Sequence, residues 1–227
     1  MAYNDNIPTI VSANESHMAC LLLVDTSLSM SDRGRIDSLN RGINQFKEDV
    51  CKDERTRSIL DVAIVEFNTT VNVVQGWCPV SYMEPVQLTA RGSTDMEGGL
   101  RLSIDMVRER SHFYLKESGA TPYKPWIVMI TDGYPNNPID DIANEIAELD
   151  AKDKLHLWSL AVEGADTAIL NKLCGGKRSL ILKGYDFTGF FDWLNKSMRS
   201  VSVSAPNERP KGVPLPDDVD KNTDDWM

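Results

Sequence analysis

The chain has 227 residues, of which 41% are hydrophobic and 26% charged, and it carries a formal net charge of −10. That length fills one well-buried domain and falls short of two ordinary ones. The acidic balance, with Lys and Arg scattered along the chain, argues against a nucleic-acid partner, and no run of about 18 apolar residues offers a membrane span.

Residues 1–16 read as an N-terminal extension. Met1 to Ile10 is polar, carries Asp5 and lacks a basic start, which is unlike a secretory signal. The first strand is predicted at Met18 to Asp25, an apolar run without alternation, as expected of a parallel strand buried on both faces. Ile36, Leu39, Ile43, Phe46 and Val50 then recur at helical spacing. Leu60 to Phe67 and Val71 to Gln75, separated by Asn68-Thr69-Thr70, read as a hairpin that adds one antiparallel edge strand. Glu66 is expected at the exposed end of its strand.

Met96 to Leu115 is predicted as a long helix. The alternation continues through Trp126 to Thr131, Ile139 to Leu149, Leu155 to Val162, Ala168 to Leu173, Leu180 to Leu182 and Phe187 to Val201. Strands alternating with helices predict an α/β fold: a doubly wound, Rossmann-like, mostly parallel sheet with helices on both faces. From Ser204 the composition changes to prolines and aspartates with almost no apolar spacing, so residues 204–227 are expected to form a disordered acidic tail. The tail reads first as a solubilising segment, and its end at Trp226, set among acidic residues, offers a docking element for a partner's pocket.

Cys20, Cys51, Cys78 and Cys174 are far apart and contain no Cys-x-x-Cys pair, which argues against a zinc site. Without a secretory leader they read as free thiols in a reducing cytoplasm.

Three predicted strand ends carry oxygen ligands. The first strand runs into Asp25-Thr26-Ser27-Leu28-Ser29, where Asp25 supplies a charged hard oxygen and Ser27 and Ser29 neutral ones. Leu88-Thr89-Ala90-Arg91-Gly92-Ser93-Thr94-Asp95 is a small polar loop that brings the Thr94 hydroxyl to a helix start, and Ile130-Thr131-Asp132-Gly133 ends another apolar strand in a carboxylate. Ligands of this kind suit Mg²⁺ or Mn²⁺ and not a thiolate-seeking ion. Open α/β sheets bind ligands at the carboxyl ends of their strands, so location and chemistry agree. Taken singly, each loop is an ordinary turn or helix cap. Asp32 and Asp95 are read in that way, and Trp126, Trp158 and Trp193 as core or interface aromatics.

Asp-x-Ser-x-Ser, a distant Thr after a Gly-containing turn, and Thr-Asp-Gly together resemble the von Willebrand factor A domain family, over residues 17–203. The resemblance implies a metal-ion-dependent adhesion site, with Asp25, Ser27 and Ser29 in the first loop, Thr94 in the second and Asp132 in the third. It also implies a divalent cation, Mg²⁺ or else Mn²⁺ or Ca²⁺, and a protein partner whose Glu or Asp completes the metal's shell. Two positions depart from the family pattern: Leu28 stands where Gly is usual, and Ser93 where Gly is common. A positive φ at Leu28 would cost about 1–2 kcal/mol. The phrase Leu-Thr-Ala-x-Gly-x-Thr and the compact length are most similar to small bacterial members related to tellurium-resistance TerY and to YegL, which implies a bacterial or phage stress or defence setting.

Two other classes compete with a binding module. A metal-dependent phosphatase of the haloacid dehalogenase kind also starts from a strand and an aspartate, but it needs a second acid where this chain has Ser27. A metal-free scaffold would leave the loop oxygens as caps and act through the fold and the tail. No Walker loop, Ser-His-Asp set or Gly-x-Gly-x-x-Gly fingerprint supports an enzyme.

Overall fold

The computed structural model describes residues 14–132 and 134–222. In chain order the elements are β1 (Met18–Asp25), α1 (Arg35–Val50), α2 (Glu54–Ile59), β2 (Leu60–Phe67), β3 (Val71–Pro79), α3 (Met96–Glu117), β4 (Trp126–Thr131), α4 (Asp140–Ala151), β5 (His156–Ala161), α5 (Thr167–Leu173), β6 (Ser179–Leu182), α6 (Thr188–Ser202) and β7 (Val219–Lys221). They build one seven-stranded sheet in the order β3-β2-β1-β4-β5-β6-β7. Strands β2, β1, β4, β5 and β6 run parallel, while β3 and β7 close the two edges antiparallel. Among the described residues no helix is long and apolar enough to cross a membrane.

Every residue of β1 is buried, and the two faces of the strand feed different core layers. Cys20, Leu22 and Val24 pack in the layer that contains the apolar faces of α1 and α6. Leu21 and Leu23 pack in the layer that contains α3, α4 and α5. This two-sided burial is why the strand shows no polar alternation. In α1 the expected stripe of Ile36, Leu39, Ile43, Phe46 and Val50 is buried throughout. The helix meets α6 closely: a Cβ at Gly42 would lie 2.5 Å from Cδ2 of Phe191.

The sheet winds outward in both directions from β1 and β4. The crevice between their carboxyl ends is therefore the topological switch point, where such folds place ligands.

The arrangement of the elements departs from expectation in three places. Strand β3 runs on to Pro79, with register shifts against β2 between Val62 and Val65. Helix α2 appears where no periodicity was read; its six residues are too few to display a stripe, and Asp53 caps it by accepting from Thr56 N.

The third departure is a correction: residues 204–222 are not a disordered tail. Val219 is buried and pairs with Leu182, which adds β7 as a second antiparallel edge strand to the single one expected. Trp193 Nε1 donates to Val213 O at 3.2 Å, and Ser200 Oγ donates to Lys211 O at 2.6 Å. Three apolar residues, Val213, Leu215 and Val219, are enough to anchor the segment on α6 and β6, and their irregular spacing hides them from any periodicity test. Residues 1–13, Gly133 and the tail end with Trp226 lie outside the described residues.

Candidate metal centre

Asp25 is the last residue of β1 and Asp132 follows the last residue of β4, so adjacent parallel strands deliver both carboxylates to the switch point. Asp25 is fully buried. Its Oδ1 accepts from Ser27 N at 2.8 Å and its Oδ2 from Thr131 Oγ1 at 2.5 Å. The first bond folds the loop back on itself in an Asx turn. The second ties the end of β1 to the end of β4.

The hydroxyls complete a chain of contacts. Ser27 Oγ and Ser29 Oγ are 3.0 Å apart, and Ser29 Oγ donates to Asp132 Oδ1 at 2.7 Å. Four of the five expected ligands, Asp25, Ser27, Ser29 and Asp132, are thus brought together. Thr94 is buried at the entrance to α3, and its carbonyl accepts from Asn136 N at 3.1 Å. Among the described residues its hydroxyl takes no part in that chain of hydrogen bonds. Asp95 caps α3 by accepting from Gly98 N, as expected of it.

Leu28 does not have a positive φ, so the family's usual glycine is not needed for the path of this loop. The turn is made further on, at Arg33 and Gly34, with φ of 50° and 72°. Leu28 instead stands out from the surface, as does Tyr134 beside Asp132, each 63% exposed.

Three residues at the site had no role in the sequence reading. Arg35, the first residue of α1, donates from Nη1 to Asp132 Oδ2, and its guanidinium lies 5.2 Å from the centre of the Tyr185 ring. A cation at a helix N-terminus opposes the helix dipole, and that mismatch was a signal available in the sequence. Thr131 braces Asp25, as described. Glu66, expected at an exposed strand end, is buried and accepts from Thr26 Oγ1, Asn72 Nδ2 and Arg91 Nη2. That correction has a simple cause: Glu66 reaches loops from other strands, which no local pattern can reveal. Backbone bonds from Arg91 N to Thr26 O and from Leu28 N to Gly92 O lock the same two loops together.

The donor set fits a hard divalent cation. It consists of oxygens alone, and its two carboxylates are buried close enough to repel. Burial pushes the Asp25 carboxyl up to about 6, opposed by its bonds from Ser27 and Thr131 and reinforced by the charge of Asp132. A divalent ion bound by these residues would relieve both penalties. With only two acids, the site is not a cluster of three or more His, Cys, Asp or Glu, and no such cluster occurs among the described residues.

No protein-family model matches the chain, and no curated protein matches it. Solved structures do. A von Willebrand factor type A structure from Catenulispora acidiphila aligns over 82% of this chain and 43% of its own, with a TM-score of 0.59 and 16% identity. The vWF domain of the type V pili tip protein Mfa5 from Porphyromonas gingivalis aligns over 86% and 98%, with a TM-score of 0.59 and 9% identity. Proximal thread matrix protein 1 from the mussel byssus, in a form with a zinc-occupied MIDAS motif, aligns over 84% and 49%, with a TM-score of 0.53 and 15% identity. The chain spans about half or less of several of these structures. Its strand order, its switch-point crevice and these likenesses agree: the chain has the fold of the von Willebrand factor A domains.

Proposed function

We propose that this chain is a metal-ion-dependent protein-binding module. Asp25, Ser27, Ser29 and Asp132, with Thr94 from the second loop, would hold a divalent cation, Mg²⁺ first and Mn²⁺ or Ca²⁺ as alternatives. The cation supplies an open coordination position that a Glu or Asp of a protein partner fills. On an acidic chain such a bridge converts carboxylate repulsion into attraction.

The observation that carries the reading is the meeting of two buried carboxylates and two serine hydroxyls at the switch point: Ser27, Ser29 and Asp132 are linked through side chains at 3.0 and 2.7 Å, and Asp25 accepts from Ser27 N at 2.8 Å. The occupied metal site of the mussel relative supports the same use of the fold. Exposed Leu28 and Tyr134 offer apolar contact area for the partner beside the metal.

We place the module in the cytoplasm of a bacterial or phage stress or defence system, close to the TerY and YegL group. The support is the loop phrasing and four unpaired cysteines. A hydrolase reading is weaker, because Ser27 occupies the position where the phosphatase pattern has its acid.

The test compares capture of partners from native lysate by wild-type protein and by Asp25→Ala, in Mg²⁺ and in EDTA. Capture by wild type in Mg²⁺ alone is the expected result. Equal capture under all four conditions would contradict it and move the interface away from Asp25.

A further inference from the structure

At the opposite end of the sheet from Asp132 lies a cleft of about 850 Å³. Trp126 and His156, the first residues of β4 and β5, line it, so it is separated from the metal centre by the length of β4, roughly 20 Å. Its inner wall is aromatic. The rings of Trp126 and Trp158 lie 5.2 Å apart, and Trp193 meets Trp158 edge-on at 5.0 Å and 67°.

Trp193 Nε1 is satisfied by Val213 O, whereas Trp158 Nε1 is buried without a hydrogen-bond partner. A buried donor left without a hydrogen bond is unfavourable, and such a group calls for an acceptor.

The rim has the opposite charge to the chain. Six Lys and Arg line the cleft against three Asp and Glu, on a protein whose net charge is −10. Lys124, Lys177 and Arg178 are paired with Asp153 and Asp150. Arg209, Lys211 and Lys221 make no ion pair with any described residue. Aromatic walls, an unmatched indole donor and uncompensated cations in a cavity of small-ligand size specify one chemistry.

We infer that this cleft is a second binding site, independent of the metal, for a flat aromatic ligand that bears a carboxylate or phosphate. The ring packs on the partly exposed face of Trp158, beside Trp126 and Trp193. The anion takes the Trp158 N–H and the charge of Arg209 and Lys211. Residues 223–227 carry the same chemistry in Asp224, Asp225 and Trp226, so the ligand has two conceivable sources, a free molecule or this chain, and the experiment separates them.

The probe is indole-3-acetate, titrated by calorimetry and by the indole N–H resonances of ¹⁵N-labelled full-length protein, with and without EDTA. Saturable one-to-one binding is expected, with the Trp158 resonance moving and EDTA without effect. Trp158→Phe removes the indole N–H and part of the ring surface, and should weaken binding about tenfold. Lys211→Glu, on the exposed rim, should weaken it by several-fold while leaving the fold untouched. Binding by Trp226→Ala but not by wild type would support the site and identify the chain itself as the source. Absence of saturable binding to both proteins, or equal affinity of all the cleft variants, would overturn the assignment.

Discussion

Arg35 and Asp132, 97 positions apart, form a buried ion pair across the mouth of the proposed metal site. Asp132 has both carboxylate oxygens engaged, one by Ser29 and the other by this guanidinium. The arginine thus supplies the positive charge that two adjacent buried carboxylates require.

Replacing Arg35 by Met leaves Asp132 buried without its cation, which should destabilise the metal-free protein by about 3 kcal/mol, at the lower end for breaking such a pair. A divalent cation takes up the same charge, so the penalty shrinks when metal is bound. By linkage the variant must then bind metal more tightly than wild type. Thermal unfolding in EDTA and in Mg²⁺ checks this: the rise in Tm on adding metal should be larger for Arg35→Met. A smaller rise would mean that Arg35 supports the metal instead of standing in for it.

Glu66 couples two loops through acceptor bonds from Thr26, Asn72 and Arg91. Glu66→Ala removes the nearer of the Thr26 hydroxyl's two acceptors, leaving it Phe67 O at 3.5 Å, and should cost about 1–3 kcal/mol in urea unfolding, with the slope of the transition unchanged. Arg91→Ala should cost less than about 1 kcal/mol, because the Arg91 side chain is 55% exposed and its pairing is screened. Equal losses in the two variants would show that the charge pair, and not the buried hydroxyl, holds the loops.

Gly92 has a φ of 73°, and a Cβ there would lie 2.2 Å from Thr69 Oγ1. Gly92→Ala should therefore destabilise the protein by about 1–2 kcal/mol from backbone strain alone, with the contact added to it. Adding Thr69→Ala should recover part of the loss and not all, since the strain at φ remains. Complete recovery in denaturant titrations would reassign the cost to the contact.

Burial pushes the thiol of Cys20 up to about 12 and those of Cys78 and Cys174 to about 11, while Cys51 is half-buried and raised less far. Thiolates are the reactive form, so at pH 8 a disulfide reagent should modify Cys51 first and the other three only with unfolding. Kinetics with one fast thiol per chain is the expected result. Fast modification of two or more would show that the core around the sheet opens locally.

Much of the architecture was legible because it rests on short-range pattern. The apolar run at Met18 to Asp25 and the stripe from Ile36 to Val50 reproduce β1 and α1 nearly residue for residue. The convergence of Asp25, Ser27, Ser29 and Asp132 was legible as well, since apolar runs reveal where strands end. Arg35, Thr131 and Glu66 were not, because each acts through contacts between chain segments 25 or more positions apart. The segment from 204 to 222 failed for a related reason: Val219 is anchored by Leu182 and not by any neighbour in sequence. Composition measures how much apolar surface a segment has, but it cannot tell that a groove elsewhere is waiting for it.

The most direct test of the central claim is calorimetric titration of Mn²⁺ or Mg²⁺ into the full-length protein and into Asp25→Asn, which keeps the shape of the side chain and removes its charge. The account predicts saturable binding at one site in the wild type and its loss in the variant, with circular dichroism spectra that superimpose. Equal binding by both proteins, or none by the wild type, would contradict the assignment of Asp25, Ser27, Ser29 and Asp132 as a metal centre.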